Sequence, residues 1–265
     1  MENILLPSKM HIKDGQQPNE SVLTIEPLHH GYGTTVGNAM RRVLLSSLEG
    51  AAVISVKIKG AQHEFATVEG VKEDVLQIIL NLKRLRMKVH STEPVMLKLV
   101  ASKAGDVTGA DIQANADVEI MNPKLKLATV TTKDAEFTMD IVVSRGRGFF
   151  PTEEREERST DIGMIAVDAM FSPVVNVGLH VENTRVGEIT NYDKLIMTIL
   201  TDGTLSPQEA VEEGTKVLLN HFNWIDGQLS HATLTEKIVS ANEEANKKSE
   251  EGTEVEKTES EGDVE

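Results

Sequence analysis

Cysteine is absent from the 265 residues. That excludes disulfides, thiolate zinc sites, iron–sulfur clusters and a cysteine nucleophile, and it fits a reducing cytoplasmic setting. Aromatic residues make up only 3% of the chain, so the core must be aliphatic and base stacking on aromatic platforms is not the expected activity. No run approaches the ~18 uncharged apolar residues that suggest a membrane span. The opening Met1-Glu2-Asn3-Ile4-Leu5-Leu6-Pro7 lacks a basic region followed by a long apolar one, so no signal peptide is expected. Asp-x-Asp, H-E-x-x-H and G-x-x-x-x-G-K-[ST] do not occur. No catalytic residue, metal site or cofactor is therefore expected.

The formal net charge is −15. An acidic balance opposes broad DNA binding, which needs clustered Lys and Arg. Between Ala241 and Glu265, ten acidic residues stand against three lysines with almost no large apolar side chain. Such a composition cannot bury enough surface to offset chain entropy, and a disordered acidic tail over 236–265 is expected.

Apolar residues alternate with polar ones at Ile54, Val56 and Ile58, at Val95, Leu97 and Leu99, at Phe137, Met139, Ile141 and Val143, and at Leu195, Met197 and Ile199. A period of two predicts half-buried strands. Three segments carry helical spacing. Val36, Met40, Val43, Leu44 and Leu48 share one face of a helix over 36–48, with Thr34 or Thr35 as its cap and Gly50 as its end. Val71, Val75, Ile78, Ile79 and Leu82 do so over 71–85. Ser206-Pro207-Gln208-Glu209 is a capping box opening a third helix, with Ala210, Gly214, Val217, Leu218, His221, Phe222 and Ile225 on its stripe. Strands and helices mix without regular βαβ alternation, which makes the class α+β. Residues 105–115 and 145–163 are expected to be surface loops.

Gly31-Tyr32-Gly33-Thr34-Thr35-Val36-Gly37 sits before a helix, as a dinucleotide-binding turn would, but its third glycine falls one residue late for G-x-G-x-x-G. A structural turn is the better reading, and a nucleotide-binding enzyme is the alternative. His29 and His30 are neighbours that could not face one ligand together, and His221 is expected to be packed and hydrogen-bonded. Arg41-Arg42 is either a solvated pair or a contact surface for a carboxylate-bearing partner. Arg145 and Arg147, followed by Phe149 and Phe150, could touch nucleic acid, although the acidic run at 153–157 weighs against that.

Ile25-Glu26-Pro27-Leu28, Gly31-Tyr32-Gly33 and Gly37-Asn38-Ala39-Met40-Arg41-Arg42-Val43-Leu44-Leu45-Ser46-Ser47 together resemble the opening of the bacterial RNA polymerase α-subunit family. Further matches follow in order: Glu69-Gly70-Val71, Asn81-Leu82-Lys83, Arg145-Gly146-Arg147-Gly148-Phe149, Val167-Asp168-Ala169-Met170-Phe171-Ser172-Pro173-Val174, Val181-Glu182-Asn183-Thr184-Arg185-Val186, Asp193-Lys194-Leu195 and Asp202-Gly203-Thr204. The resemblance implies a dimerising scaffold that is not itself a catalyst and assembles the β and β′ subunits of a nucleotidyltransferase. It implies a discontinuous dimerisation subdomain at 1–48 and 168–235, with an inserted, mostly β subdomain at 49–167. By the same resemblance Arg42, with Arg41, would contact β, and Lys83 would contact β′. Val36, Met40, Val43, Leu44, Val217, Leu218 and Phe222 would line the dimer interface. His30 stands where the family commonly has arginine. The family's second, DNA-binding helical domain has no counterpart in the acidic tail, so DNA is expected to be met only through the assembled polymerase.

Overall fold

The computed structural model describes residue 4 and residues 6–132, 136–154 and 163–229. The predicted acidic tail at 236–265 lies outside them, as do residues 155–162 of the predicted loop. Two compact units divide the chain, Met1–Thr215 and Lys216–Glu265. In order, the first unit contains β1 (Lys9–Asp14), β2 (Glu20–Leu28), α1 (Tyr32–Ser46), β3 (Glu49–Ile58), α2 (Val75–Leu82), β4 (Met87–Val89), β5 (Val95–Ala101) and β6 (Gly105–Thr108). It continues with β7 (Val118–Ile120), β8 (Lys126–Val130), β9 (Phe137–Arg147), β10 (Phe149–Phe150), β11 (Met164–Ala166), β12 (Ala169–Met170), β13 (Val174–Val186) and β14 (Ile189–Thr201). Residues 207–229 are helical, 207–215 in the first unit and 216–229 in the second. The α+β class follows.

Among the described residues the strands form two four-stranded sheets, ordered β1-β2-β14-β13 and β11-β3-β9-β5, and three two-stranded ribbons. In the first sheet, strands from opposite ends of the sequence pair antiparallel, with Leu195 opposite Ile25 and Ile199 opposite Ser21. β14 buries Leu195, Met197 and Ile199 as its alternation predicts. Helix α1 lies across β13 and β14, and the glycines of its sequence explain how closely. A Cβ on Gly33 would stand 2.9 Å from Val181 Cγ1, and one on Gly37 would collide with Leu179. These glycines serve helix–sheet contact; apart from Gly31 the segment opens α1 and is not the structural turn expected.

The second sheet packs against α2, whose Val75, Ile78, Ile79 and Leu82 are all buried. On β9, Phe137, Met139, Ile141 and Val143 point inward without a break. β3 departs from its predicted alternation. A bulge between Val53 and Ser55 shifts the register, so Ser55 is buried and Ile54 only half-buried.

Several expectations need correction. α1 starts at Tyr32, not Val36, so Thr34 and Thr35 lie inside the helix and cannot cap it. It ends at Ser46, and Gly50 belongs to β3. α2 starts at Val75, where the Asp74 carboxylate accepts from Gln77 N–H at 2.8 Å, and ends at Leu82; Val71 instead bridges to Val130. Residues 105–111 are β6 and a short 3-10 turn closed by a Thr108–Asp111 capping box. Residues 145–147 complete β9, and Phe149–Phe150 form β10. The capping box at Ser206–Glu209 is present. Glu209 accepts from Ser206 Oγ at 2.7 Å and from Ser206 N–H at 2.9 Å, and these bonds hold its carboxyl below the ordinary range.

Where the chain leaves the second sheet, Phe171 settles over two glycines that stand opposite each other, Gly50 on β3 and Gly146 on β9. A Cβ on Gly146 would meet the Phe171 ring at 2.7 Å, and one on Gly50 would overlap the Phe171 carbonyl oxygen. Backbone cannot swing aside as a side-chain tip can. Gly50→Ala is therefore expected to destabilise the fold by about 1–3 kcal/mol, the range for overpacking a close contact. The measurement is the urea midpoint, which should fall at unchanged slope; a midpoint equal to that of the parent chain would contradict this packing.

Candidate functional site

The α1 N-terminus is organised from a distance. Gly31 adopts φ 82° and offers no capping side chain. In its place Asp193, on β14 and 4% exposed, accepts a hydrogen bond from Gly33 N–H at 2.9 Å. A carboxylate at a helix start satisfies a free N–H and the positive end of the dipole. His30 Nδ1 stands 3.8 Å from the same carboxylate, and His29 meets the rings of Tyr32 and Tyr192 edge-on at 5.8 and 6.2 Å. The place where a nucleotide phosphate would sit is thus filled by the chain's own carboxylate, and the Gly33 and Gly37 backbone is sealed against the sheet. The nucleotide-binding alternative fails on both counts.

Along α1, Met40 and Leu44 are buried, and Val36 and Val43 are half-buried. Arg41 and Arg42 are both exposed. Neither guanidinium forms an ion pair among the described residues. In the second unit Val217 and Leu218 are half-buried, whereas Phe222, Trp224, Ile225 and Leu229 are 47–67% exposed. His221 is also exposed, contrary to expectation. Its ring Nδ1 lies 2.8 Å from Val217 O, a bond within its own helix that needs no packing.

Lys83 caps the C-terminal end of α2. Its Nζ lies 3.1 Å from Asp168 Oδ2, and Asp168 Oδ1 accepts from Thr152 N–H at 3.0 Å. The Thr152 N–H and then the Lys83 ammonium hold the Asp168 carboxyl below the usual aspartate range. Arg145 is likewise engaged: its Nη2 is 2.8 Å from Glu49 Oε2, across β3 and β9. The two close one side of a cleft of about 380 Å³. An arginine neutralised in this way does not offer a phosphate site, whereas Arg147 is exposed. Sequence reasoning missed Asp193, Asp168 and Glu49 as partners. Asp193 and Asp168 lay inside quoted motifs, but no local spacing ties them to Gly33 or Lys83.

Residues 56–172 match the family described as the RNA polymerase Rpb3/RpoA insert domain. The DNA-directed RNA polymerase subunit alpha of Alkaliphilus oremlandii (strain OhILAs) is 45% identical over 225 residues, covering 85% of this chain and 71% of that protein. That of Oceanobacillus iheyensis (strain DSM 14371 / CIP 107618 / JCM 11309 / KCTC 3954 / HTE831) is 48% identical over 224 residues, covering 84% and 71%. The chain belongs to the RNA polymerase α-subunit family. Both relatives are subunits of a DNA-directed RNA polymerase. Among the described residues, no helix is long and apolar enough to cross a membrane.

The Asp168 cluster sets a pH dependence. Folding lowers the Asp168 pKa from its ordinary value of 3.8, so its stabilisation is fully present above that value and is lost as pH falls through the lower folded value. Asp168→Asn should therefore be less stable than the parent near neutrality, and the gap should close as pH falls below 3.8. Both side chains are more than a third exposed, so the difference near neutrality should stay at about 1 kcal/mol or less. Urea titrations across pH 2.5–7 read it; a gap that widens with acid would reverse the assignment.

Proposed function

We propose that this chain homodimerises and that the dimer gathers the β and β′ subunits, with polymerase chemistry left to those subunits and no cofactor of its own. The site of action is the cytoplasm, and DNA is met through the assembled enzyme. The division that serves this role is a discontinuous dimerisation subdomain at 1–48 and 168–235 around an inserted subdomain at 49–167. The strand pairing of residues 20–28 with 193–200 and the separate apolar core of residues 53–167 support it.

The observation that carries the β assignment is Arg42. It is exposed on a helix fixed to a sheet, and its guanidinium has no carboxylate among the described residues. Arginine offers a planar fork to a carboxylate and is common where proteins meet. Lys83 is proposed for β′, presented together with Asp168 as a partly exposed ion pair that a partner's polar groups can join. Val36 and Val43 on α1, with Val217, Leu218 and Phe222, are proposed for the dimer contact; Met40 and Leu44, expected there as well, are already buried within the chain. The exposure of Phe222, Trp224, Ile225 and Leu229 on one short helical stretch favours a protein partner there, because a monomer rarely leaves so much apolar surface in water.

Phe222→Asp is expected to shift the chain from dimer towards monomer or aggregate in equilibrium sedimentation, because an unpaired charge resists burial. A folded monomer of the unmodified chain at micromolar concentration would count against dimerisation. Arg42→Ala should keep the dimer and the circular dichroism spectrum, since alanine is a good helix former. Its capture of β should weaken by roughly 2–5 kcal/mol, the range for truncating one side of a buried charged pair. Pull-downs with Arg41→Ala alongside test the assignment: normal capture by Arg42→Ala would sink it, and loss of the dimer would make Arg42 a structural residue.

A further inference from the structure

After α2 the chain runs Lys83-Arg84-Leu85-Arg86-Met87-Lys88-Val89-His90. Leu85, Met87 and Val89 are buried in the core of the second sheet. The period of two along a strand therefore turns Arg86 and Lys88 the other way. Three cations of this run meet acids that lie beyond residue 167. Lys83 Nζ is 3.1 Å from Asp168 Oδ2, and Arg86 Nε is 3.7 Å from Asp202 Oδ2. Lys88 acts on Glu209: after the Ser206 hydrogen bonds, its charge helps to hold the Glu209 carboxyl below the ordinary range.

Both rows of charge stand on fixed backbone. Arg86 N–H donates to Asn122 Oδ1 at 2.8 Å, and Arg86 O accepts from Met121 N–H at 2.9 Å. On the acidic side, Asp202 N–H donates to Pro173 O at 2.9 Å, and Asp202 Oδ1 accepts from Thr204 N–H at 2.9 Å. The Asp202 side chain is only 7% exposed, so its charge is costly to keep without Arg86.

These ties lie where the two sheets have little else in common. Among the described residues, no strand of one sheet pairs with a strand of the other, and the core of the second sheet draws its buried side chains from residues 53–167. The passage at 167–173 joins the two, closed by Phe171 over Gly50 and Gly146. Alongside runs the cleft of about 380 Å³, with Lys88 and His90 on one wall and Pro173, Leu205 and Glu213 on the other.

We propose that Lys83, Arg86 and Lys88 form an ionic latch with Asp168, Asp202 and Glu209, which holds the two sheets at one angle and lets them part along the cleft when the charges are screened or removed. The passage under Phe171 is the pivot, because apolar packing is not screened by salt. Exposed ion pairs are individually weak and fade as the Debye length shortens, so the joint yields before either core melts. The latch is a conformational device of this chain and needs none of the partner contacts proposed above.

The chain has no cysteine of its own, so two introduced thiols give unique labels. Lys13→Cys on β1 and Lys98→Cys on β5, both exposed, carry spin labels on the far strands of the two sheets. Pulsed dipolar spectroscopy of the full chain, diluted into unlabelled chain, reads the distance between them. In the parent at low salt the distribution should be narrow. Arg86→Gln/Lys88→Gln should broaden it and move it to longer distances, with circular dichroism unchanged. The parent in about 1 M sodium chloride, where the Debye length is about 3 Å, should shift the same way. Lys124→Gln, which removes an exposed cation outside the row, should leave the distribution as it was. If the double variant loses its dichroism signal, Lys88→Gln alone and the salt series on the parent carry the test. A folded Arg86→Gln/Lys88→Gln chain with the parent's distribution overturns the proposal. So does equal broadening by Lys124→Gln, which would assign the effect to net charge.

Discussion

Backbone pairing of β2 with β14 joins stretches near the two ends of the first unit, and the placement of α1 depends on it. Closing so long a loop is less costly than it looks. The entropy rises only with the logarithm of length, at about 0.6 kcal/mol per doubling. The intervening chain, moreover, is not a flexible loop but has a buried core of its own, from Val53 to Val167. Once β14 lies beside β2, Leu195 meets the close approach of Gly37, and Asp193 arrives at the start of α1 to accept from Gly33 N–H. Helix position and helix cap are therefore settled by one sheet register, and Arg41 and Arg42 face outward because the opposite face of α1 is committed to β13 and β14.

The passage between the two sheets has its own constraint. Residues 167–173 leave the second sheet and enter the first, and they are held at three points. Val167 N–H donates to Ile54 O at 2.9 Å, Asp168 bonds Lys83 and Thr152, and Phe171 fits over Gly50 and Gly146. Arg86 reaches Asp202 at 3.7 Å, a further tie between the segment after α2 and the end of β14. The proposed β and β′ contacts thus sit close to short connections locked by side-chain packing and charged hydrogen bonds. Such anchoring keeps an assembly surface in its binding geometry before any partner arrives.

Legibility in the sequence followed the range of the forces involved. Alternation along β9 and β14 was readable because each residue's face depends only on its neighbours two places away. The Ser206–Glu209 capping box was readable for the same reason, with donor and acceptor three residues apart. The start of α1 was misplaced, since Thr34 and Thr35 looked like the local caps while the acceptor actually used lies on another strand. Arg145 was read as a loop residue because the glycines at 146 and 148 resemble turn signals. In the fold Gly146 stays in β9, where its missing side chain makes room for Phe171. His221 was expected to be packed because it shares a stripe with apolar residues, yet its hydrogen bond is satisfied within its own helix in an exposed position.

By itself the sequence determined the α+β class, the aliphatic core, the absence of thiol chemistry, the helices that carry Arg42 and Lys83, and, through collinear motifs, membership of the RNA polymerase α-subunit family. All of these rest on composition or on short-range order, which survive without coordinates. Tertiary structure alone decided which charges are already answered. Arg145 is neutralised by Glu49 and Lys83 by Asp168, while Arg41, Arg42 and Arg147 have no carboxylate among the described residues. It also decided that the basic run after α2 meets Asp168, Asp202 and Glu209. Those outcomes depend on strands adjacent in space but far apart in the chain, and electrostatic pairing and burial act over distances in space that the order of residues does not encode.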